Sequence, residues 1–329
     1  MVVATLLSFA AVAVAQNYHV SDQWKLGGQG GWDYLVSDDA AHRLYITHNS
    51  RVEVVDSNTG KPIGAVTGLK STHGVSLNPD GKTGYITDGA GNAIVVFDRA
   101  SLSIKATVPA GTNPDGITFE PTTKTVWAFN GRSNNVSVLD TASNGIIATV
   151  PLPGKPEFPQ VDGHGAIFVN IEDKNAIVKL DAATQKVVAT WPLTGCDSPS
   201  GMAIDHTHHR LFSVCDGGKM AIVDYTSGQL LGLASIGDSP DAAGFDPKNG
   251  LAFSSNGGNA TLSIIDTTKA GFPTVQTVKT AKGARTMAFD ASTGRVYLVT
   301  AEFGAPLATA PHARPSVVPG TFEILVVEK

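Results

Sequence analysis

Residues 74–109 carry the pattern that decides the fold. They read Gly74-Val75-Ser76-Leu77-Asn78-Pro79-Asp80-Gly81, then Gly84-Tyr85-Ile86-Thr87, then Ile94-Val95-Val96-Phe97-Asp98, then Ile104-Lys105-Ala106-Thr107-Val108-Pro109. Each segment is short and rich in β-branched and aromatic residues, the side chains that fit a pleated surface. Between the first two stands Asn-Pro-Asp-Gly, where proline presets φ and the other three tolerate turn conformations. The stretch therefore predicts strand, turn, strand, loop, strand, turn, strand.

The same unit recurs along the chain. The strand ending in Asp returns as Val52-Glu53-Val54-Val55-Asp56, Val136-Ser137-Val138-Leu139-Asp140, Ile177-Val178-Lys179-Leu180-Asp181, Ala221-Ile222-Val223-Asp224 and Leu262-Ser263-Ile264-Ile265-Asp266. The step is about 42 residues, the size of a four-stranded propeller blade. A second apolar strand lies upstream of each, as in Leu44-Tyr45-Ile46-Thr47, Val126-Trp127-Ala128-Phe129-Asn130 and Val296-Tyr297-Leu298-Val299-Thr300. One such sheet cannot bury both its faces, but sheets stacked around an axis can. The reading is all-β: a seven-bladed β-propeller. The last unit ends with Phe322-Glu323-Ile324-Leu325-Val326-Val327, one outer strand short. Asp22-Gln23-Trp24-Lys25-Leu26, ahead of the first unit, is expected to supply it and close the ring.

These units resemble the YVTN-repeat β-propeller family, which includes YncE-like exported proteins. The name-giving strand is matched by Leu44-Tyr45-Ile46-Thr47-His48 and Gly84-Tyr85-Ile86-Thr87-Asp88, and the outer strand by Ala106-Thr107-Val108-Pro109 and Ala148-Thr149-Val150-Pro151. The resemblance spans essentially all of residues 16–329. It implies surface or periplasmic binding modules, with lactonases and redox-enzyme domains among related propellers. Fold alone does not select between these activities.

Residues 1–15 read as a signal peptide: an apolar run ends in the small-x-small site Ala13-Val14-Ala15. No Lys or Arg precedes that run. Cleavage before Gln16 leaves residues 16–329 as one propeller domain, with a periplasmic or secreted location and no transmembrane span expected, and a monomer as its state. The formal net charge is −5 and no Lys/Arg cluster occurs, which argues against phosphate-driven nucleic-acid binding. The two cysteines, Cys196 and Cys215, flank antiparallel neighbours of the fifth unit and are a disulfide candidate in an oxidising compartment. No Cys-x-x-Cys motif supports thiol redox chemistry or covalent haem attachment.

In a propeller, the loop entering the innermost strand and the loop after the second strand share one face, at the mouth of the central channel. Aligning the units places Asp33, His73, Asp115, Glu157, Ser200, Asp241 and Arg285 at the entry position. A second ring falls at the end of the second strand: His48, Asp88, Asn130, Asn170, Cys215, Asn256 and Thr300. Three readings of this acidic mouth stand side by side. Its polar groups bind water and each other. Or its oxygens hold a divalent cation, calcium for carboxylates and amides, zinc or copper if His73 and His48 join. Or it performs acid–base catalysis, with His73 or Glu157 as base and Arg285 as clamp for an oxyanion or carboxylate. The corresponding functions are a binding or scaffold propeller for a protein, carbohydrate or small ligand; a lactonase-like hydrolase; and a metal-handling or redox-associated module.

Two further features bear on the mouth. Trp32 offers an aromatic surface there, whereas Trp127 is expected to pack between blades. An insertion from Ala301 to Gly320 lies on the same face and is read as a lid carrying His312 and Arg314, or as a Pro-rich excursion. His206, His208 and His209 fall in a turn on the opposite face, where a solvated turn is favoured over a weak metal site.

Overall fold

The computed structural model describes residues 17–305 and 316–329. They form seven four-stranded antiparallel sheets. Blade one consists of Trp32–Asp38, Arg43–His48, Arg51–Asp56 and Pro62–Val66, from the axis outward. Blades two to six repeat this order, with innermost strands Thr72–Leu77, Pro114–Glu120, Pro156–Val161, Asp197–Asp205 and Pro240–Asp246. Each innermost strand packs beside those of the two adjacent blades, and that of blade seven, Met287–Asp290, returns to blade one. The ring is closed.

The core lies between the blades. Among the described residues the buried apolar side chains fall into seven clusters, each spanning two adjacent blades. Tyr45, Val54 and Val66 of blade one meet Ile86, Val95 and Phe97 of blade two. Trp127 of blade three is fully buried against Ile167, Val169 and Val178 of blade four, as expected. The two middle strands of each blade therefore run nearly continuously apolar, because both of their faces are covered.

The Asp that ends the third strand in blades one to six is a turn residue. Asp98 Oδ1 accepts from the backbone N–H of Ser101 at 2.9 Å, and Asp181 Oδ1 from Thr184 N at 2.7 Å. Asp56, Asp140, Asp224 and Asp266 make equivalent bonds. Such bonds satisfy donors that the sheet leaves unpaired. The repeat in sequence is thus a repeat of turn chemistry.

Blade seven is completed by the N-terminal strand, as expected. His19–Lys25 pairs antiparallel with Glu323–Glu328, with Trp24 opposite Ile324. Trp24 packs on Tyr297, ring centroids 5.9 Å apart. Tyr18 reaches the neighbouring blade: its ring meets Phe253 edge-on, and its backbone exchanges two hydrogen bonds with the Gln276 side chain, at 3.0 and 2.7 Å. The residues expected to form the signal peptide, 1–15, lie outside the described residues. So do His312 and Arg314. The stems of that insertion are paired, Gly304 N with Ser316 O and Val318 N with Glu302 O, both at 2.8 Å. Among the described residues no helix is long and apolar enough to cross a membrane.

A chain beginning at Leu26 is expected to melt at least roughly 5–10 °C below one beginning at Asn17, because it loses the Tyr18 and Trp24 contacts. It is also expected to self-associate through the bared edge of Glu323–Glu328. Thermal unfolding and size-exclusion chromatography check both; equal melting points would contradict the closure.

Candidate functional site

Each of the first six innermost strands enters its sheet through a break in register. The breaks fall between Trp32 and Leu35, Thr72 and Val75, Pro114 and Ile117, Pro156 and Pro159, Pro199 and Met202, and Pro240 and Ala242. A bulge bends the strand and re-aims a side chain. Asp33, His73, Asp115, Glu157, Ser200 and Asp241 lie inside these breaks, and Arg285 stands just before Met287–Asp290.

Side chains clasp one blade to the next at this level. Thr87 of blade two donates to the carbonyl of Asp115 in blade three at 2.5 Å and accepts from Gly74 N at 2.8 Å. Asn170 of blade four donates to Ser200 O at 2.8 Å, and Ser200 Oγ donates to Pro240 O at 3.0 Å. Ser255 donates to Arg285 O, and Thr286 Oγ1 donates to Asp33 O at 2.8 Å. The entry residues are therefore fixed relative to one another by the ring.

The structure brings six of the seven entry residues into one charged network. His73 Nδ1 lies 2.6 Å from Asp33 Oδ2 and 3.9 Å from Asp115 Oδ1. Arg285 Nε donates to Asp241 Oδ2 at 2.6 Å, its Nη2 donates to Trp32 O at 3.0 Å, and Nη2 lies 3.7 Å from Asp33 Oδ1. Glu157 meets Lys155 Nζ at 2.7 Å and accepts from Tyr34 Oη, across the ring, at 3.4 Å. Lys155 also pairs with Glu172. Ser200 instead spends its hydroxyl on the backbone of blade six.

Tyr34 and Lys155 were not anticipated from sequence. Tyr34 is buried and packs edge-on against Phe158, centroids 4.8 Å apart, so it links blade one to blade four beneath the mouth. Its place beside Asp33 inside the break was the available signal. Lys155 sits two residues before Glu157, in the loop that enters the same strand.

The second ring lies elsewhere in the hydrogen-bonding scheme. His48, Asp88, Asn130, Asn170, Asn256 and Thr300 are buried and turned to the framework. His48 stacks on Phe322 at 4.1 Å and faces Glu53 at 3.4 Å. Asp88 caps Lys70 N and Ser71 N. Asn130 braces its hairpin through Asn135 and Ser137, and Asn256 does so through Thr261 and Ser263. Thr300 donates to Lys282 O at 2.7 Å. Cys215 is bonded to Cys196, with Cα atoms 5.3 Å apart. Trp32 does not present an open aromatic face: it is buried against Phe303 and Phe322. On the opposite face, His208 Nδ1 pairs with Asp205 Oδ2 at 2.7 Å and His209 packs on Tyr225.

Crowding governs the mouth's protonation. Burial pushes the Asp115 carboxyl up, the Asp33 charge adds to this, and the pull of His73 and Lys155 does not cancel it, leaving it at about 7. Burial and the Asp115 charge raise Glu157 to about 8 against the opposing Lys155. Burial would lower His73, but the hydrogen bond to Asp33 and the charges of Asp115, Asp33 and Glu157 outweigh it and raise the imidazole to about 9. Tyr34 is pushed well above its ordinary value by burial and by the neighbouring carboxylates, Glu157 foremost. At neutral pH the mouth thus holds protons that isolated carboxyls would have released.

One group of donors has metal-ligating geometry: single atoms of Asp33, His73 and Asp115 all lie within 4.8 Å of one another. No protein-family model matches the chain, and no curated protein matches it in sequence. Solved structures match its fold. A chain of hydrazine synthase from Kuenenia stuttgartiensis is similar at TM-score 0.73 and 16% identity, over 82% of this chain and 92% of that one. A structure of U3-55K is similar at TM-score 0.76 and 11% identity, over 93% and 99%. The WD40 repeats of RRP9 give TM-score 0.76 and 11% identity, over 94% and 98%. These likenesses concern fold, and with the ring described above they define a seven-bladed β-propeller.

A carboxyl or imidazole whose pKa is raised by folding binds protons in the folded chain that the unfolded chain has released, so stability falls as pH rises. The windows run from 3.8 to about 7 for Asp115, from 4.5 to about 8 for Glu157 and from 6.5 to about 9 for His73. Urea unfolding between pH 5 and 8 is expected to show the wild type losing stability, and Glu157→Gln losing less, by about 1–2 kcal/mol. Parallel pH profiles would contradict this.

Proposed function

We propose that the chain is an exported binding propeller of the YVTN-repeat type, taking a positively charged ligand at its channel mouth without chemical change. The observation that supports this most is the charge of the mouth. Among the described residues, Asp33, Asp115 and Glu157 meet Arg285 and Lys155 as permanent cations, and Asp241 belongs to the same network. Arg285 is already committed to Asp241, and Lys155 is shared with Glu172. A ligand bringing positive charge replaces bound protons and relieves the repulsion between carboxylates. Crowded like charges in a dry setting gain more from such a partner than surface charges do.

Binding is favoured over a covalent hydrolytic mechanism by how the hydroxyl and thiol side chains of the two rings are bonded. The Ser200 hydroxyl donates to backbone, and Cys215 is bridged. Neither is paired with His73, whose Nδ1 faces Asp33 and Asp115. A covalent mechanism requires a nucleophile within reach of its base. Export follows from the reading of residues 1–15 and accords with the Cys196–Cys215 bridge.

A thermal-shift panel of amines, polyamines, amino sugars, neutral oligosaccharides and lactones tests this. A cationic member is expected to stabilise the wild type by about 2.7 kcal/mol at a hundredfold excess over Kd, a rise of roughly 5 °C. The Asp115→Asn/Glu157→Gln double variant is expected to lose that rise. Stabilisation by neutral sugars alone, or lactone turnover abolished by His73→Ala, would overturn the proposal.

A further inference from the structure

We propose that Asp33, His73 and Asp115 form a binding site for a divalent metal of the zinc type, with His73 Nδ1 and one oxygen from each carboxylate as ligands. This rests on reading the mouth as a cation-seeking site and names the ion and its donors.

The first support is placement. The three residues come from blades one, two and three, and the ring converges their donor atoms. Metal–ligand bonds of about 2.0–2.2 Å in a tetrahedron put neighbouring donors about 3.4 Å apart. The two distances from His73 Nδ1, 2.6 Å to Asp33 and 3.9 Å to Asp115, straddle that value. Shifts below about 1 Å reach it. The backbone of both carboxylate residues is held in place: Thr87 donates to the Asp115 carbonyl at 2.5 Å, and Thr286 to that of Asp33 at 2.8 Å. Gly89 leaves room for the imidazole, since a Cβ there would stand 2.5 Å from His73 Nε2.

The second support is the condition of Asp115. Its side chain is 14% exposed, and His73 Nδ1 at 3.9 Å, beyond hydrogen-bond reach, is its ion-pair partner. Among the described residues no donor hydrogen-bonds its carboxylate, whereas the buried Glu120, Asp205, Asp246 and Asp290 of innermost strands each accept bonds from their turns. A desolvated carboxylate without donors costs free energy unless a cation meets it.

The donor set selects the ion. An imidazole with two carboxylates suits zinc and its first-row neighbours, whereas calcium takes six to eight oxygens. Three protein ligands leave a coordination position for water or a ligand, the arrangement of open zinc sites.

Calorimetric titration with ZnCl2, and separately CaCl2, on residues 16–329 tests the site. One zinc per chain is expected to bind, with calcium weaker. Asp115→Asn and His73→Gln are each expected to weaken zinc at least about tenfold, the loss that disturbing even a ligand's partner produces. His208→Ala, on the opposite face, is expected to bind as the wild type does. The near-UV spectrum of buried Trp127 and Trp32 verifies that each variant folds. Calcium tighter than zinc, no zinc binding, or binding lost in His208→Ala but kept in His73→Gln would each overturn the inference. If zinc fails to bind while a cationic panel member still binds through Asp115 and Glu157, the metal site falls and the reading of the mouth stands.

Discussion

A four-stranded sheet has two faces, and neither survives in water when both are apolar. Everything else in this molecule follows from how that constraint is met. Each blade lends one face to each neighbour, and the buried side chains collect in the seven gaps between blades. Such an arrangement works only if it closes. An open row would leave two terminal faces bare, each the size of an internal interface. The clasp of the N-terminal strand on Glu323–Glu328, with Tyr18 reaching across to Phe253, is therefore part of the core's own logic.

Closure also makes the site. Seven strands converging on an axis carry their entry residues into one small volume, whatever their chemistry. Where those residues are carboxyls, the ring forces like charges together, and hydrogen bonds from Thr87, Asn170, Ser255 and Thr286 keep them from drifting apart. The stability of the blades opposes the repulsion, and the unrelieved charge is what a ligand acts on. Tyr34 adds a floor by spanning from blade one to Phe158 and Glu157 of blade four.

The fold was legible because the repeat is written twice, once in apolar strands and once in turn chemistry such as Asp98 with Ser101. The entry ring was legible because alignment of the units fixes one position per blade, independent of side-chain detail. The second ring was harder. His48, Asp88 and Asn256 do lie on the mouth side of their strands, but each stands opposite the first residue of the next strand, Arg51, Ala93 and Thr261. A residue so placed serves its own hairpin or the adjoining loop. Tyr34 and Lys155 escaped notice because contacts across a ring, such as Tyr34 to Glu157, link units far apart in the chain and leave no local period.

The most direct test of this account is an NMR titration of the His73 imidazole. Its neighbours Asp33, Asp115 and Glu157 belong to three other blades, so its protonation reports whether the ring brings them together. A value near 9 is expected, falling when Asp33 is replaced by Asn. A value near the ordinary 6.5, unmoved by that replacement, would contradict the convergence on which the site depends.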